Sequence, residues 1–448
     1  MRRRMGVGEA GGEYDVLTEA REGVRQDSGG SGGLSEEDVD VEGGLGSGDG
    51  APVVEGTGGG AVGLGDSAPA KAVAVLVLLC VYLGAAAYQL GRQGIPGGEG
   101  GTDPGASVTV FALGDWGRAH ECTRAPGDAV ACAGSLAQRR TAEAMGVVAW
   151  ARGGARVSAV IGLGDSFYEN GLDGDNDDAF DVSFTGVYGN ATAVGALASV
   201  PWANVLGNHD YHGDALAQTR GGVSGRDARW FCDREWVKGW DTDGEVSFDE
   251  TGALLEVIAF DTTPFVEEYL SPGAHFYNWT GLVEGTTNAS APGGVTFHAP
   301  RDMPAVQEAM LERLEARLAA STARWTVVAG HHPVRSVGEH GSTAELVARL
   351  EPVLARHGIR VYLSGHEHDM EHIVWPAAAS LGGKTVEVHY VISGAGSATR
   401  TPVGSHAGLE FAHGGNGFVS LEASRDTLKI NFFSADGAQV LHTVSLAR

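Results

Sequence analysis

One pattern recurs five times in this chain and constrains its fold more than any other feature. An apolar run ends in glycine, and a side chain able to bind a metal follows. The five are Phe111-Ala112-Leu113-Gly114-Asp115, Val160-Ile161-Gly162-Leu163-Gly164-Asp165, Asn204-Val205-Leu206-Gly207-Asn208-His209, Val327-Val328-Ala329-Gly330-His331 and Val361-Tyr362-Leu363-Ser364-Gly365-His366-Glu367-His368. Strands of an open α/β sheet share one carboxyl edge, so five such loops are expected to converge on a single crevice. Glycine before each donor lets the backbone turn sharply and come close to a ligand. Tyr168, three residues after Asp165, adds a phenol to the same loop.

Strand and helix periods alternate through residues 107–448, read as the catalytic domain. Strands are predicted at 108–113, 158–163, 202–206, 254–260, 325–329 and 359–363, with helices over 135–152, 303–320 and 343–357. From 385 onward the pattern changes to hairpin strands at 386–392, 417–422, 428–433 and 439–446. The mixture predicts an α/β fold of two packed sheets flanked by helices.

Residues 1–71 are rich in Gly, Ser, Asp and Glu without apolar periodicity and are expected to be disordered. Ala72 to Leu90 is almost wholly apolar between Lys71 and Arg92, and about 20 such residues span a bilayer. We read residues 72–91 as a transmembrane anchor. A signal peptide is the competing reading, with a secreted product, but the leader ahead of it is too long. Residues 92–106 form a linker. The net charge of −26 argues against nucleic acid as a partner, because phosphate backbones need a basic face.

Cys80 lies in the apolar run. Cys122 and Cys132 can close a short loop, or either can pair with Cys232, which leaves one free thiol. Sequons at Asn190, Asn278 and Asn288 suit a lumenal or extracellular domain. The Gly- and Thr-rich stretch 281–294 is a candidate flap over the site, and Asp173 to Asp181 reads as a solvated acidic loop.

Asp115, Asp165, Tyr168, Asn208, His331, His366 and His368 are too many donors for one ion with a vacant position. They suit two ions sharing a carboxylate, with Asp165 as the natural bridge. On extended backbone His366 and His368 point to the same side, so each can reach a different ion.

These motifs resemble the five metal motifs of the calcineurin-like metallophosphoesterases. Tyr168 narrows the likeness to purple acid phosphatases. Ser199-Val200-Pro201-Trp202, and His331-His332-Pro333 through Glu339-His340-Gly341, are similar to the small tartrate-resistant type. The likeness covers about Val108 to Phe433. It implies a four-layer αββα sandwich of mixed sheets. It also implies Fe3+ held by Asp115, Asp165, Tyr168 and His368, beside a divalent ion (Fe2+, Zn2+ or Mn2+) held by Asp165, Asn208, His331 and His366. His209 and His340 match outer-sphere histidines that bind phosphoryl oxygens or protonate the leaving group. The activity implied is acid hydrolysis of phosphate monoesters by metal-bound hydroxide. A phosphodiesterase or nucleotide hydrolase on the same scaffold is the alternative, since fold and metals do not fix the leaving group. A non-catalytic surface receptor is a further alternative, and it predicts losses among the donors. The sequence carries no sign of oligomeric state.

Overall fold

The computed structural model describes residues 107–118, 134–151, 157–219, 221–246, 252–271, 274, 277–280, 282, 301–381 and 384–448. The expected tail 1–71, anchor 72–91 and linker 92–106 lie outside the described residues, as do Cys80, Cys122, Cys132, Asn288 and all but one residue of the 281–294 stretch. Among the described residues, no helix is long and apolar enough to cross a membrane.

In chain order the strands are β1 (Val108–Leu113), β2 (Val157–Gly162), β3 (Trp202–Asn204), β4 (Trp230–Cys232), β5 (Glu235–Trp240), β6 (Glu245–Val246), β7 (Leu255–Phe260), β8 (Trp325–Ala329), β9 (Val361–Ser364), β10 (Met370–Leu381), β11 (Lys384–Ser393), β12 (Leu409–His413), β13 (Gly417–Ala423), β14 (Thr427–Ser434) and β15 (Val440–Ala447). One sheet has the order β15-β14-β13-β1-β2-β3-β4 and the other β12-β10-β11-β9-β8-β7-β5-β6. Both are mixed. β1 to β4 run parallel, while β13 joins β1 antiparallel. In the second sheet β7, β8, β9 and β11 are parallel, and β5 and β10 join them antiparallel.

The layering follows from the two-residue period of the strands. In β1, Val108, Val110 and Ala112 face Val257, Val327 and Val361 across the gap between the sheets. Phe111 and Leu113 point the other way, onto Ala142, Met145 and Val148 of helix α1 (Leu136–Ala151). Val328 and Tyr362 cover the outer face of the second sheet, against helix α2 (Met303–Ala320) and the short helices α3 (Ala344–Arg349) and α4 (Glu351–Arg356). Helix, sheet, sheet and helix thus stack in four layers around three apolar cores, as the metallophosphoesterase likeness implied.

Three expectations about local structure need correction. The helix expected over 343–357 is two helices, because Pro352 at the start of α4 has no N–H to continue the first. β4, β5, β6, β10 and β12 were not expected as strands. β10 contains Glu371, His372 and Pro376, and Glu371 and His372 are buried with partners from distant segments. The acidic stretch from Asp173 is not merely solvated: Arg226 donates to the Asp175 and Asp177 carbonyls at 2.9 and 2.8 Å and to Asp181 at 2.6 Å.

Candidate metal centre

The donors stand at the carboxyl ends of β1, β2 and β3 in one sheet and of β8 and β9 in the other, so two sheet edges build one crevice. Asp115, Asp165 and His366 each adopt a left-handed backbone, with φ of 58°, 49° and 70°. Such geometry costs on the order of 1–3 kcal/mol per non-glycine residue, although Asp and His tolerate it better than most. Hydrogen bonds between the motifs hold it in place. Asp115 N–H donates to the Gly164 carbonyl at 3.1 Å, and His366 N–H donates to Asp115 Oδ2 at 2.8 Å.

The glycines therefore serve mainly to leave room. Only Gly164 among those of the five motifs has positive φ, at 88°. A Cβ on Gly365 would meet Asp115 Oδ2 at 2.5 Å, and one on Gly207 would meet Asp165 Oδ1 at 2.2 Å and its backbone N at 2.4 Å. Gly207→Ala should thus push the Asp165 loop aside, lowering stability by about 1–3 kcal/mol and turnover by about 100-fold or more. A melting curve and rate indistinguishable from the parent would refute that reading of Gly207.

All seven sequence-predicted donors come together, in two groups. In the first, Tyr168 Oη donates to Asp115 Oδ1 at 2.7 Å and lies 3.1 Å from Asp165 Oδ2 and 3.0 Å from His368 Nε2. In the second, His331 Nε2 is 3.0 Å from Asn208 Oδ1, 3.2 Å from His366 Nδ1 and 3.4 Å from Asp165 Oδ2. Asp165 Oδ2 belongs to both. His366 and His368 do face different groups, but from a turn with left-handed backbone at His366, since β10 begins only at Met370.

The chemistry of these atoms fits cations. His331 Nδ1 is 2.8 Å from the Leu163 carbonyl, which fixes Nδ1 as donor and turns Nε2 inward. Around Nε2 stand three lone-pair atoms, from Asp165, Asn208 and His366. Positive charge is favoured there: burial alone would lower the His331 pKa, yet Asp165 raises it to about 9. The same pairing acts on Asp165, where burial opposes ionisation but His331 and His209 hold the carboxyl well below its usual range. The Tyr168 phenol is pushed well up by burial and by Asp115 and Asp165, as expected where a proton shares a site with two carboxylates.

The two other predicted site residues flank the groups. The His209 ring packs 4.5 Å from that of Tyr168, with Nδ1 2.6 Å from the Glu169 carbonyl. The His340 ring packs 4.5 Å from that of His366, and its Nε2 accepts from Arg400 Nη1 at 2.8 Å. Burial and Arg400 lower the His340 pKa.

A family model for calcineurin-like phosphoesterases matches residues 108–370. Purple acid phosphatase 17 of Arabidopsis thaliana is 32% identical over 344 residues, covering 75% of this chain and 83% of that protein. This chain belongs to the purple acid phosphatase family. Tartrate-resistant acid phosphatase type 5 of Mus musculus is 27% identical over 354 residues, covering 77% of this chain and 91% of that protein. Among solved structures, GAP50, the anchor in the inner membrane complex of Plasmodium, shares the fold with a TM-score of 0.54 at 19% identity, over 76% of this chain and 89% of that one. As a purple acid phosphatase the chain is a hydrolase of phosphoric esters, from a family that uses a dinuclear metal centre.

Several residues that shape this phosphatase's site are not among the donors singled out in the sequence. Asp210 ties two metal loops together, accepting from Ser166 N–H at 3.1 Å, Gly207 N–H at 2.8 Å and Gln218 Nε2 at 2.7 Å. Glu367 accepts from His340 N–H at 2.9 Å and Gly341 N–H at 2.8 Å, which pins the His340 loop. Arg118 lies over the Tyr168 ring, 4.0 Å from its centroid. His332 is close to His331 and His366, but Thr262 and Tyr269 occupy its two nitrogens at 2.9 and 3.1 Å. Of the sequons, Asn190 is exposed. Asn278 is buried and spends its amide on the Gly213 carbonyl at 2.9 Å.

Proposed function

We propose that this protein hydrolyses phosphate monoesters, with ferric iron held by Asp115, Asp165, Tyr168 and His368 and a divalent iron, zinc or manganese ion held by Asp165, Asn208, His331 and His366. The observation that carries this reading is the position of Asp165 Oδ2, within 3.1 Å of Tyr168 Oη and 3.4 Å of His331 Nε2. One carboxylate oxygen then adjoins a hard, phenol-containing set suited to a trivalent ion and a nitrogen- and amide-containing set suited to a divalent one. Phosphate monoesters need up to about 10²¹-fold acceleration. When bound, such a pair of ions supplies Lewis acidity that activates water near neutral pH and neutralises charge on the phosphoryl oxygens.

The chain's own residues do the rest. The Leu163 carbonyl keeps His331 Nε2 turned inward, and Asp165 anchors the His209 backbone N–H at 2.8 Å, setting that side chain beside the ferric set. His340 stands beside the divalent set. With Nε2 engaged by Arg400, its Nδ1 carries the proton when the ring is neutral. From these places the two rings can receive the phosphoryl group and pass a proton to the departing alcohol. The run 72–91 would tether this activity to a membrane with the catalytic part outside the cytosol.

The test is elemental analysis with a visible spectrum, together with rates on an aryl phosphate monoester and a bis-aryl diester. Expected are two metals per chain, one of them iron, a charge-transfer band that Tyr168→Phe removes while the divalent ion stays, and preference for the monoester. An unchanged spectrum in that variant would remove the phenol from the iron, and diester preference would favour the phosphodiesterase reading.

A further inference from the structure

Tyr168 is engaged at two different places. Its Oη meets Asp115, Asp165 and His368, whereas the face of its ring takes the Arg118 guanidinium, whose carbon lies 4.0 Å from the ring centroid. One side chain thus touches both the ferric donor set and a cation.

The backbone fixes this placement. Arg118 and Tyr168 pair as a parallel β-bridge, and Tyr168 N–H donates to the Gly117 carbonyl at 2.9 Å. A Cβ on Gly117 would meet the Ser166 carbonyl oxygen at 1.8 Å, so only glycine lets the segment after Asp115 lie this close to the one after Asp165. Glu169 accepts from Arg118 Nη1 and steadies the guanidinium. An ordinary surface ion pair of this kind would contribute little. Here, however, Tyr168 is only 4% exposed and the Arg118 side chain 24%, so little water screens the cation from the phenol. Glu169, at 51%, is the more solvated partner and offsets that charge less.

We propose that Arg118 is a positioning residue that acts through Tyr168: its charge over the ring holds electron density on the phenolate and so leaves a ferric ion at Oη more electrophilic. This rests on the dinuclear reading above. A phenolate spreads negative charge into its ring, and a cation over the face stabilises that charge. Moving an electron from phenolate to iron then takes more energy. Weaker donation by the phenolate also favours the reduced iron.

The test uses the full chain with iron bound and records its visible band and its reduction by a mediator of fixed potential. Arg118→Gln removes the charge and keeps a planar polar group near the ring. Its band should move to longer wavelength, and its ratio of ferric to ferrous iron should rise about two- to thirtyfold. Arg118→Lys, which restores a cation, should bring both back toward the parent. Arg118→Met repeats the loss of charge with a side chain that packs well on aromatic rings, and serves if Arg118→Gln misfolds. An unmoved band and ratio in the uncharged variants, with two metals bound, would overturn the role of Arg118 and leave the dinuclear centre standing. A raised KM with an unmoved band would make Arg118 a substrate contact instead. Equal shifts in Arg118→Gln and Arg118→Lys would reduce it to a packing residue. A parent chain that binds iron without a visible band would overturn the ferric phenolate and this role together.

Discussion

Asp165→Ala is expected to lower turnover by more than about a thousandfold and to leave at most one metal per chain. The carboxylate is 1% exposed and has no solvent to replace it. Its Oδ2 adjoins both donor groups, and its Oδ1 accepts the His209 N–H at 2.8 Å. Alanine would therefore take a ligand atom from each group and also release the His209 backbone. The metal-free protein should suffer too, by about 1–3 kcal/mol. His331 loses the charge that raises its pKa to about 9, and the His209 N–H loses its acceptor. Asp165→Asn separates the two effects. It keeps an oxygen for His209 but brings no charge, so it should recover much of the stability and little of the metal. Metal analysis and steady-state rates on both variants decide the matter. Full metal content with retained turnover in Asp165→Ala would exclude the shared carboxylate.

The strands that carry the donors were legible because they are buried on both faces and read as unbroken apolar runs, and because Asp, Asn and His following such runs are unusual company for a core. Proximity of the seven was expected from one shared carboxyl edge, whereas the edges of two packed sheets supply it. The sequence did not reveal how the turns are made. Glycine was expected to make the sharp turns, yet Asp115, Asp165 and His366 adopt left-handed backbone themselves, held by bonds such as His366 N–H to Asp115 that join residues 251 apart in the chain. β10 was hidden for a related reason. Glu371 looks like a surface residue until Ser336 Oγ and Val337 N–H are seen donating to it at 2.9 and 2.8 Å. Local pattern thus locates a donor, whereas the bonds that aim it come from distant segments.

A second large effect is expected in acid, from histidines outside the metal centre. His372 of β10 joins His389 of β11 and His442 of β15, with Nε2 2.9 Å from His389 Nδ1 and Nδ1 3.0 Å from His442 Nε2, so three rings bridge the two sheets. Phe411 of β12 stacks on His442 at 4.9 Å. Burial and the two neighbouring rings push the His372 pKa down to about 3, and burial and Arg360 push that of His389 to about 4. Both lie below the ordinary histidine value of about 6.5 that the unfolded chain retains. From pH 6.5 downward the unfolded state therefore binds protons that the folded state refuses, and stability falls by on the order of 1 kcal/mol per pH unit for each ring until its folded pKa is reached. Asp165, whose pKa is lowered, loses its contribution only below the carboxylate range, and His331 loses its own only as pH rises through about 9, so neither obscures this window. Buried His332 and His366 add to the same acid slope, which makes a difference measurement necessary. His372→Leu should flatten the fall in unfolding free energy of the metal-free protein between pH 6.5 and 4, even if it lowers stability at pH 7 by removing two hydrogen bonds. An unaltered acid slope in that variant would mean that the bridging histidines accept protons without strain. A flattened slope would locate part of this acid phosphatase's own acid sensitivity at the seam between its sheets, at the start of β10 just past His368, rather than at the metal ligands themselves.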